Sequence, residues 1–304
     1  MKLRRFLVVA SLLVVCVSLS VAAAAPALKF TFKDVNAPGA TQTDSYAINN
    51  AGAIAGDYVD KSGVQHGMIL AGKKLTKFDN KSCQNTGNAT GSIAAFGINK
   101  TNVVAGWCYS TTTGLAIGWT YAKGKYTMLK GPKGAAQVEA NGINDAGSVV
   151  GTFFDNSGNQ SAFVLAKGKY TTLKPPSGVT SAATAWSISN KNVITVYGTN
   201  SSGGYTSGYT SNNGKSYKAF KAPKEGATGT VVHAVNNNGD VTGTYFDSNS
   251  AAHGVLLHGG KYYSFDDPSA SNSTRSDGLN DKLGMVGRYS PSDGSNHGFF
   301  AQAK

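Results

Sequence analysis

Glu139, His233, Arg275 and Asp277 are the residues of this chain best suited to acid–base chemistry. Carboxyls and an imidazole can hold and pass a proton, and a guanidinium can hold an anion. Tyr46, Phe96 and Trp186, with Asn141, suit binding instead. Flat apolar faces with a polar group to fix orientation make a sugar or peptide site. Two functions are therefore open. One is a binding or scaffold module for a glycan or protein; the alternative is a lyase or hydrolase using the acid–base set. No nucleophile motif, phosphate loop or metal-ligand spacing accompanies these residues. No catalytic residue, metal or cofactor is assigned, and binding is expected ahead of catalysis. Packing between repeats, with polar ends in solvent, remains the structural alternative.

These eight residues are scattered in sequence but share a place. Each stands three or five residues before an apolar–Asn/Ser marker: Ile48-Asn49, Ile98-Asn99, Ile143-Asn144, Ile188-Ser189, Val235-Asn236 and Leu279-Asn280. The markers recur every 44 to 50 residues, a period that signals an array of one supersecondary unit. In the third copy, residues 137–144, 148–154, 161–166 and 170–174 are short runs rich in Val, Phe, Tyr and Thr. Asp145-Ala146-Gly147, a polar tip at 155–159 and Lys167-Gly168-Lys169 separate them, as tight hairpins would. Four such strands per unit predict an all-β fold, a six-bladed β-propeller with four antiparallel strands per blade. Period-two alternation then puts the eight residues on one side of their strands, so the ligand is expected at one mouth of the central channel.

Three residues after the marker Asn or Ser stand Gly52, Asn102, Gly147, Asn192 and Gly239, a predicted left-handed turn position. The sixth copy has Leu283 there and Gly284 next, so a reshaped turn is expected. Seven residues after the marker stand Gly56, Gly106, Gly151, Gly243 and Gly287, with Val196 in the fourth copy. Glycine there suggests close backbone approach. The sixth copy ends after three strands, and residues 29–33 near the start resemble a fourth strand. The ring is therefore expected to close with the N-terminal strand as outer strand of the last blade, pairing beside 297–301.

Residues 1–25 have the make-up of a secretory signal: Lys2, Arg4 and Arg5, then an apolar run, then small residues. Residues 26–304 are expected to form one propeller, secreted to an extracellular or periplasmic place, monomeric, with no span remaining after signal removal. Cys83 and Cys108 fall at the same face of the second blade, and a disulfide suits an oxidising compartment; two free thiols are the alternative. The formal charge is +12, three of it from the signal segment, while only 14% of residues are charged. Weak contact with anionic polymers is expected, and nucleic acid is not an expected partner. Lys73, Lys125, Lys169, Lys215 and Lys261 each follow a turn glycine and should share one face.

The units resemble the HAF repeat of bacterial extracellular proteins. Ile-Asn-x-x-Gly-x-Val-Val-Gly is followed by Ser161-Ala162-Phe163, His66-Gly67-Met68, His253-Gly254-Val255 or His297-Gly298-Phe299. The resemblance implies export and a repeat fold, and it carries no reaction. His66, His253 and His297 recur at one strand position, which points to a structural role over metal binding. Asp60, Asp155 and Asp247 open hairpin tips rather than calcium loops, since no distal carboxylate follows at loop spacing.

Overall fold

A computed structural model describes residues 28–83, 93–211, 214–221 and 227–304. The expected signal segment lies outside them. Strand β1 (Phe30–Asp34) opens the fold. The repeats then supply β2–β5 (Gln42–Ile48, Ala53–Val59, Gln65–Ala71, Lys74–Phe78) and β6–β9 (Ala94–Ile98, Val104–Tyr109, Ala116–Ala122, Lys125–Met128). Next come β10–β13 (Ala135–Ile143, Val149–Asp155, Gln160–Ala166, Lys169–Thr172) and β14–β17 (Ser181–Ile188, Ile194–Thr199, Tyr205–Thr210, Lys218–Phe220). The last are β18–β21 (Gly229–Val235, Val241–Phe246, Ala252–His258, Lys261–Phe265) and β22–β24 (Ser273–Leu279, Gly284–Ser290, His297–Ala303).

The strands form a propeller arrangement of antiparallel blades. The first four repeats each make a separate four-stranded sheet in chain order. The fifth and sixth repeats share one eight-stranded sheet, joined by a single parallel pair, Ala252 with Ser273. Within it β1 lies antiparallel to β24, from Phe30 opposite Ala303 to Asp34 opposite Phe299. The paired span of β24 is therefore 299–303, two residues further along than the expected 297–301.

The tripeptide of each third strand is now physically legible. Met68, Trp119, Phe163, Val255 and Phe299, in its last place, are fully buried between sheets. Its middle place is small because something presses on it. A side chain at Gly67 or Gly254 would strike the ring of Phe78 or Phe265, and one at Gly298 the Val35 carbonyl. In the first place His66 reaches Asp79 (2.7 Å) and Asp60 (3.1 Å), and His253 reaches Asp266 (2.9 Å). These histidines tie the hairpin tip to the end of the fourth strand, and they rest on Tyr58 and Tyr245 at 5.2 and 4.9 Å.

The marker Asn has two roles. Asn49 Oδ1 accepts the Ala51 and Ala53 N–H groups (both 3.0 Å) and so shapes the turn. Its Nδ2 donates to the Asn99 carbonyl of the next repeat (3.0 Å). Asn99, Asn144 and Asn236 repeat the outward donation to Asn144, Ser189 and Asn280. One residue on, Asp145, Asn190, Asn237, Asp281 and Asn50 each accept a backbone N–H from the preceding repeat at 2.8 Å. Two polar relays thus run from repeat to repeat. The turn of the sixth copy is not reshaped: Leu283 itself takes φ +59°, and Gly284 N still meets Asn280 Oδ1 at 2.9 Å. Holding the same Asn bonds overrides the cost of a left-handed leucine, on the order of 1–2 kcal/mol.

Cys83 and Cys108 are joined in a disulfide, their Cα atoms 5.6 Å apart. The bond fixes the loop after β5 to β7, beside the Cys83–Ser110 bridge. Among the described residues no helix is long and apolar enough to cross a membrane.

Candidate functional site

The innermost strands β2, β6, β10, β14, β18 and β22 line the central channel. Period-two alternation was expected to aim their varied residues. The ladder instead slips at one place in every copy: between Ser45 and Ala47, Ala95 and Gly97, Ala140 and Gly142, Ala185 and Ser187, Val232 and Val235, and Ser276 and Gly278. Tyr46, Phe96, Asn141, Trp186, His233 and Asp277 sit inside these β-bulges. A bulge leaves an extra residue outside the pairing and re-aims its side chain.

So aimed, the residues meet one another. Tyr46 contacts Phe96 at 4.6 Å between ring centres, and Phe96 meets Trp186 edge-on at 5.5 Å. Asn141 comes between them in the chain, and its smaller side chain turns its Nδ2 to the Ala185 carbonyl (3.1 Å). Trp186 lies 5.0 Å from His233, whose Nδ1 is 2.8 Å from the Ser276 carbonyl and 3.3 Å from Asp277 Oδ1. Arg288, from β23, completes the circuit. Its Nη1 is 3.1 Å from Asp277 Oδ2, and its guanidinium lies 5.1 Å over Tyr46.

Together these contacts make a packed stopper at the channel mouth. Asn141 and Asp277 are each only 1% exposed, and His233 is buried. Toward the marker turns the channel keeps a narrow cavity of about 100 Å³, lined by Tyr46, Phe96, Asn141, Trp186 and Asp277 among others. Among the described residues no protein group pairs with Asn141 Oδ1 or Trp186 Nε1.

The side of the stopper nearer the hairpin tips is a charged and aromatic surface. The residues five before each marker face the residues one past the repeated glycine: Asp44 opposite Asp57, Ala94 opposite Trp107, Glu139 opposite Thr152, Thr184 opposite Tyr197, and Arg275 opposite Arg288. Between them the glycine is required: a side chain at Gly56, Gly151 or Gly287 would collide with the carbonyl of Asp44, Glu139 or Arg275. Like charges face each other twice, which opposes pairing within a sheet. The neighbouring repeats correct this, because Arg288 Nε lies 3.6 Å from Asp44 Oδ1.

Electrostatics follow from burial. Burial, with Asp44 beside it, holds Asp57 well above the usual carboxylate range. Asp44 is raised by burial, against the pull of Arg288. Burial alone pushes Glu139 up to about 7. Burial lowers His233, so the neutral ring donates its Nδ1 hydrogen to the Ser276 carbonyl. Burial opposes the charge of Arg288, yet Asp277, Tyr46 and Asp44 hold it firmly protonated.

All eight residues singled out in the sequence lie at this end of the channel, six in the stopper and Glu139 and Arg275 above it. Sequence reasoning missed Arg288, Asp57, Trp107 and Tyr197. Their signal was available, since each stands one residue beyond the repeated glycine or Val196, in a column as varied as the ring itself. Trp107 stacks on Phe96 at 5.6 Å, and Tyr205, 45% exposed, stacks on Phe246 at 6.1 Å.

No family model and no curated protein matches this chain. Solved structures do. The putative TolB from Agrobacterium tumefaciens aligns with a TM-score of 0.55 at 14% identity, over 91% of this chain and 98% of that one. A mutant Aleuria aurantia lectin in complex with Fucalpha1-6GlcNAc gives 0.53 at 10% identity, over 87% and 94%. The Aleuria aurantia lectin described as a six-bladed beta-propeller with a novel fucose recognition mode gives 0.51 at 10% identity, over 84% and 89%. At these identities the likeness shows the fold, a β-propeller.

Proposed function

We propose that this chain is a secreted, six-bladed propeller of the HAF-repeat kind, a monomer that binds a glycan or protein at the cell envelope. In this reading the eight-stranded sheet counts as two blades, with β1 as the outer strand of the last. The observation that carries the binding role is the surface above the stopper. Trp107 and the exposed Tyr205 offer aromatic groups at the end of the channel that also holds Glu139 and Arg275, and Tyr205 and Arg275 share contact with Phe246. Such a surface suits sugars, which combine apolar ring faces with hydroxyls. Two of the three solved structures named above are of a lectin whose descriptions name fucose or a fucosylated sugar, and this supports the glycan over the protein partner.

The test is a glycan and peptide array probed with the mature chain. A glycan hit that is lost in the Trp107→Ala, Tyr205→Ala double variant, with melting temperature kept, is the expected result. A hit that survives both changes moves the site elsewhere, and an array with no hit removes the binding role.

A propeller lyase or hydrolase is the second reading, favoured by one observation. Glu139, at about 7, is half protonated near neutral pH, as a general acid or base should be. New reducing ends or unsaturated products from a polysaccharide panel, absent with Glu139→Gln, would establish it.

A further inference from the structure

Arg275 is a cation of the site without an ion-pair partner among the described residues. Around it the strong pairings are taken. Arg288 holds Asp277 at 3.1 Å and Asp44 at 3.6 Å, and Asn296 Nδ2 also donates to Asp44 Oδ1 at 3.2 Å. Asp57 is buried behind Asp44. Arg275 has Arg288 as its register partner, a like charge where an acid would be expected. Among the described residues its side chain makes no hydrogen bond or ion pair. Its contact is with an aromatic face: the guanidinium carbon lies 5.6 Å over the Phe246 ring. Stacking of this kind uses the flat face of the guanidinium and leaves its edge, with a fork of N–H donors, free.

The surroundings of that edge are suited to a sugar. Phe246 stacks on Tyr205 at 6.1 Å, and Tyr205 meets Tyr197 edge-on at 6.2 Å. Tyr205 is the more exposed, so one aromatic face stands open beside the unused donors. A planar fork of N–H groups matches a carboxylate in two parallel charge-assisted bonds, stronger than those it makes to neutral hydroxyls.

From this we infer that the ligand is an acidic glycan, with a uronic-acid carboxylate on the edge of Arg275 and the sugar ring against Tyr205. The inference rests on the binding role proposed above and narrows it to one chemical class. Arg288 is the weaker candidate, because its charge is already met by Asp277 at Nη1 and Asp44 at Nε. A protein partner that offers only peptide groups meets the guanidinium with neutral carbonyl acceptors and no opposite charge.

The experiment is calorimetric titration of the mature chain at physiological salt with four oligosaccharides of one length. These are a uronate oligomer, its methyl ester, a neutral oligomer and a sulfated neutral oligomer. The uronate oligomer should bind at least tenfold tighter than its ester. Arg275→Met should abolish that preference, Arg275→Lys should keep part of it, and Tyr205→Ala should weaken acid and ester alike. Melting curves check that each variant folds. Equal affinity for acid and ester, or a preference that survives Arg275→Met, overturns the inference and leaves the binding role standing. A preference for the sulfated oligomer over the uronate reassigns the anion and also overturns it. Binding to none of the four overturns it as well, and the wider array then decides whether the binding role falls with it.

Discussion

Arg288 and Asp44 meet across the junction of the last repeat with the first, Nε to Oδ1 at 3.6 Å, while the same guanidinium holds Asp277 at 3.1 Å. One side chain therefore balances charge on both sides of the place where the ring must close. Replacing it should expose how much the closure depends on it. Arg288→Met leaves Asp277 buried without its cation and should cost about 3–5 kcal/mol at pH 7. The deficit should shrink as pH falls, because Asp44, already raised by burial, takes up a proton more readily once Arg288 is gone. Urea unfolding at pH 7 and below measures this, and an unchanged midpoint at pH 7 would show that the ring does not need the guanidinium.

The second prediction concerns β1. Its backbone pairs with β24 from Phe30 to Asp34, and Phe30 and Phe32 pack on Phe265 at 4.8 and 6.2 Å. Removing residues 28–34 uncovers the β24 edge and that cluster together. The whole domain should melt earlier in one transition, and a truncated chain with the parental melting temperature would sink the closure.

Glu139 sets a pH dependence whose sign is fixed. Its folded value of about 7 lies above the ordinary 4.5. Between the two the folded state binds the extra proton, so stability falls as pH rises through that window and stays lower above it. Glu139→Gln should flatten this slope and stabilise the protein at pH 8 by about 2 kcal/mol, with little change near pH 4. Melting temperatures across the range decide it, and parallel curves for variant and parent would reject it.

The Cys83–Cys108 bond closes a span of 25 residues. Loss of that constraint on the unfolded chain should cost about 3 kcal/mol. Cys83→Ser, or reductant, should lower the urea midpoint accordingly. A midpoint insensitive to both would mean that the bond constrains little.

The five hairpin lysines, Lys73, Lys125, Lys169, Lys215 and Lys261, are all exposed. They lie in hairpins between third and fourth strands, on the side of the marker turns and away from Arg275. Changing all five to Gln should weaken retention on an anionic polymer column at low salt and have little effect at high salt. Retention equal to the parent would leave them as solvated turn residues.

Much of the framework was legible because each repeat states it again. The marker Asn, the left-handed position and the small middle residue of the tripeptide each answer one steric or hydrogen-bond demand, so the types recur. The stopper was legible only in part. The residues 46, 96, 141, 186, 233 and 277 differ from copy to copy, which singled them out, but the slip in the ladder has no residue signature of its own. Contacts such as Phe96 with Trp186, or Arg288 with Tyr46, join different repeats, and nothing local in the sequence encodes them. Leu283 shows the opposite failure: its type argued for a new turn, and the Asn280 bonds kept the old one.

The bulges separate what can vary from what must stay. A residue outside the ladder contributes no register, so its replacement leaves strand pairing intact. Most of these side chains, however, touch one from another repeat, as Tyr46 and Trp186 both touch Phe96 and His233 touches Trp186. Substitutions at these six places should therefore be tolerated in adjacent combinations more readily than singly. A library that randomises neighbouring pairs, for instance 96 with 186 or 233 with 277, should yield more folded proteins than the same diversity spread over unrelated places. The ring is in this sense a set of interchangeable parts, each fitted to the next.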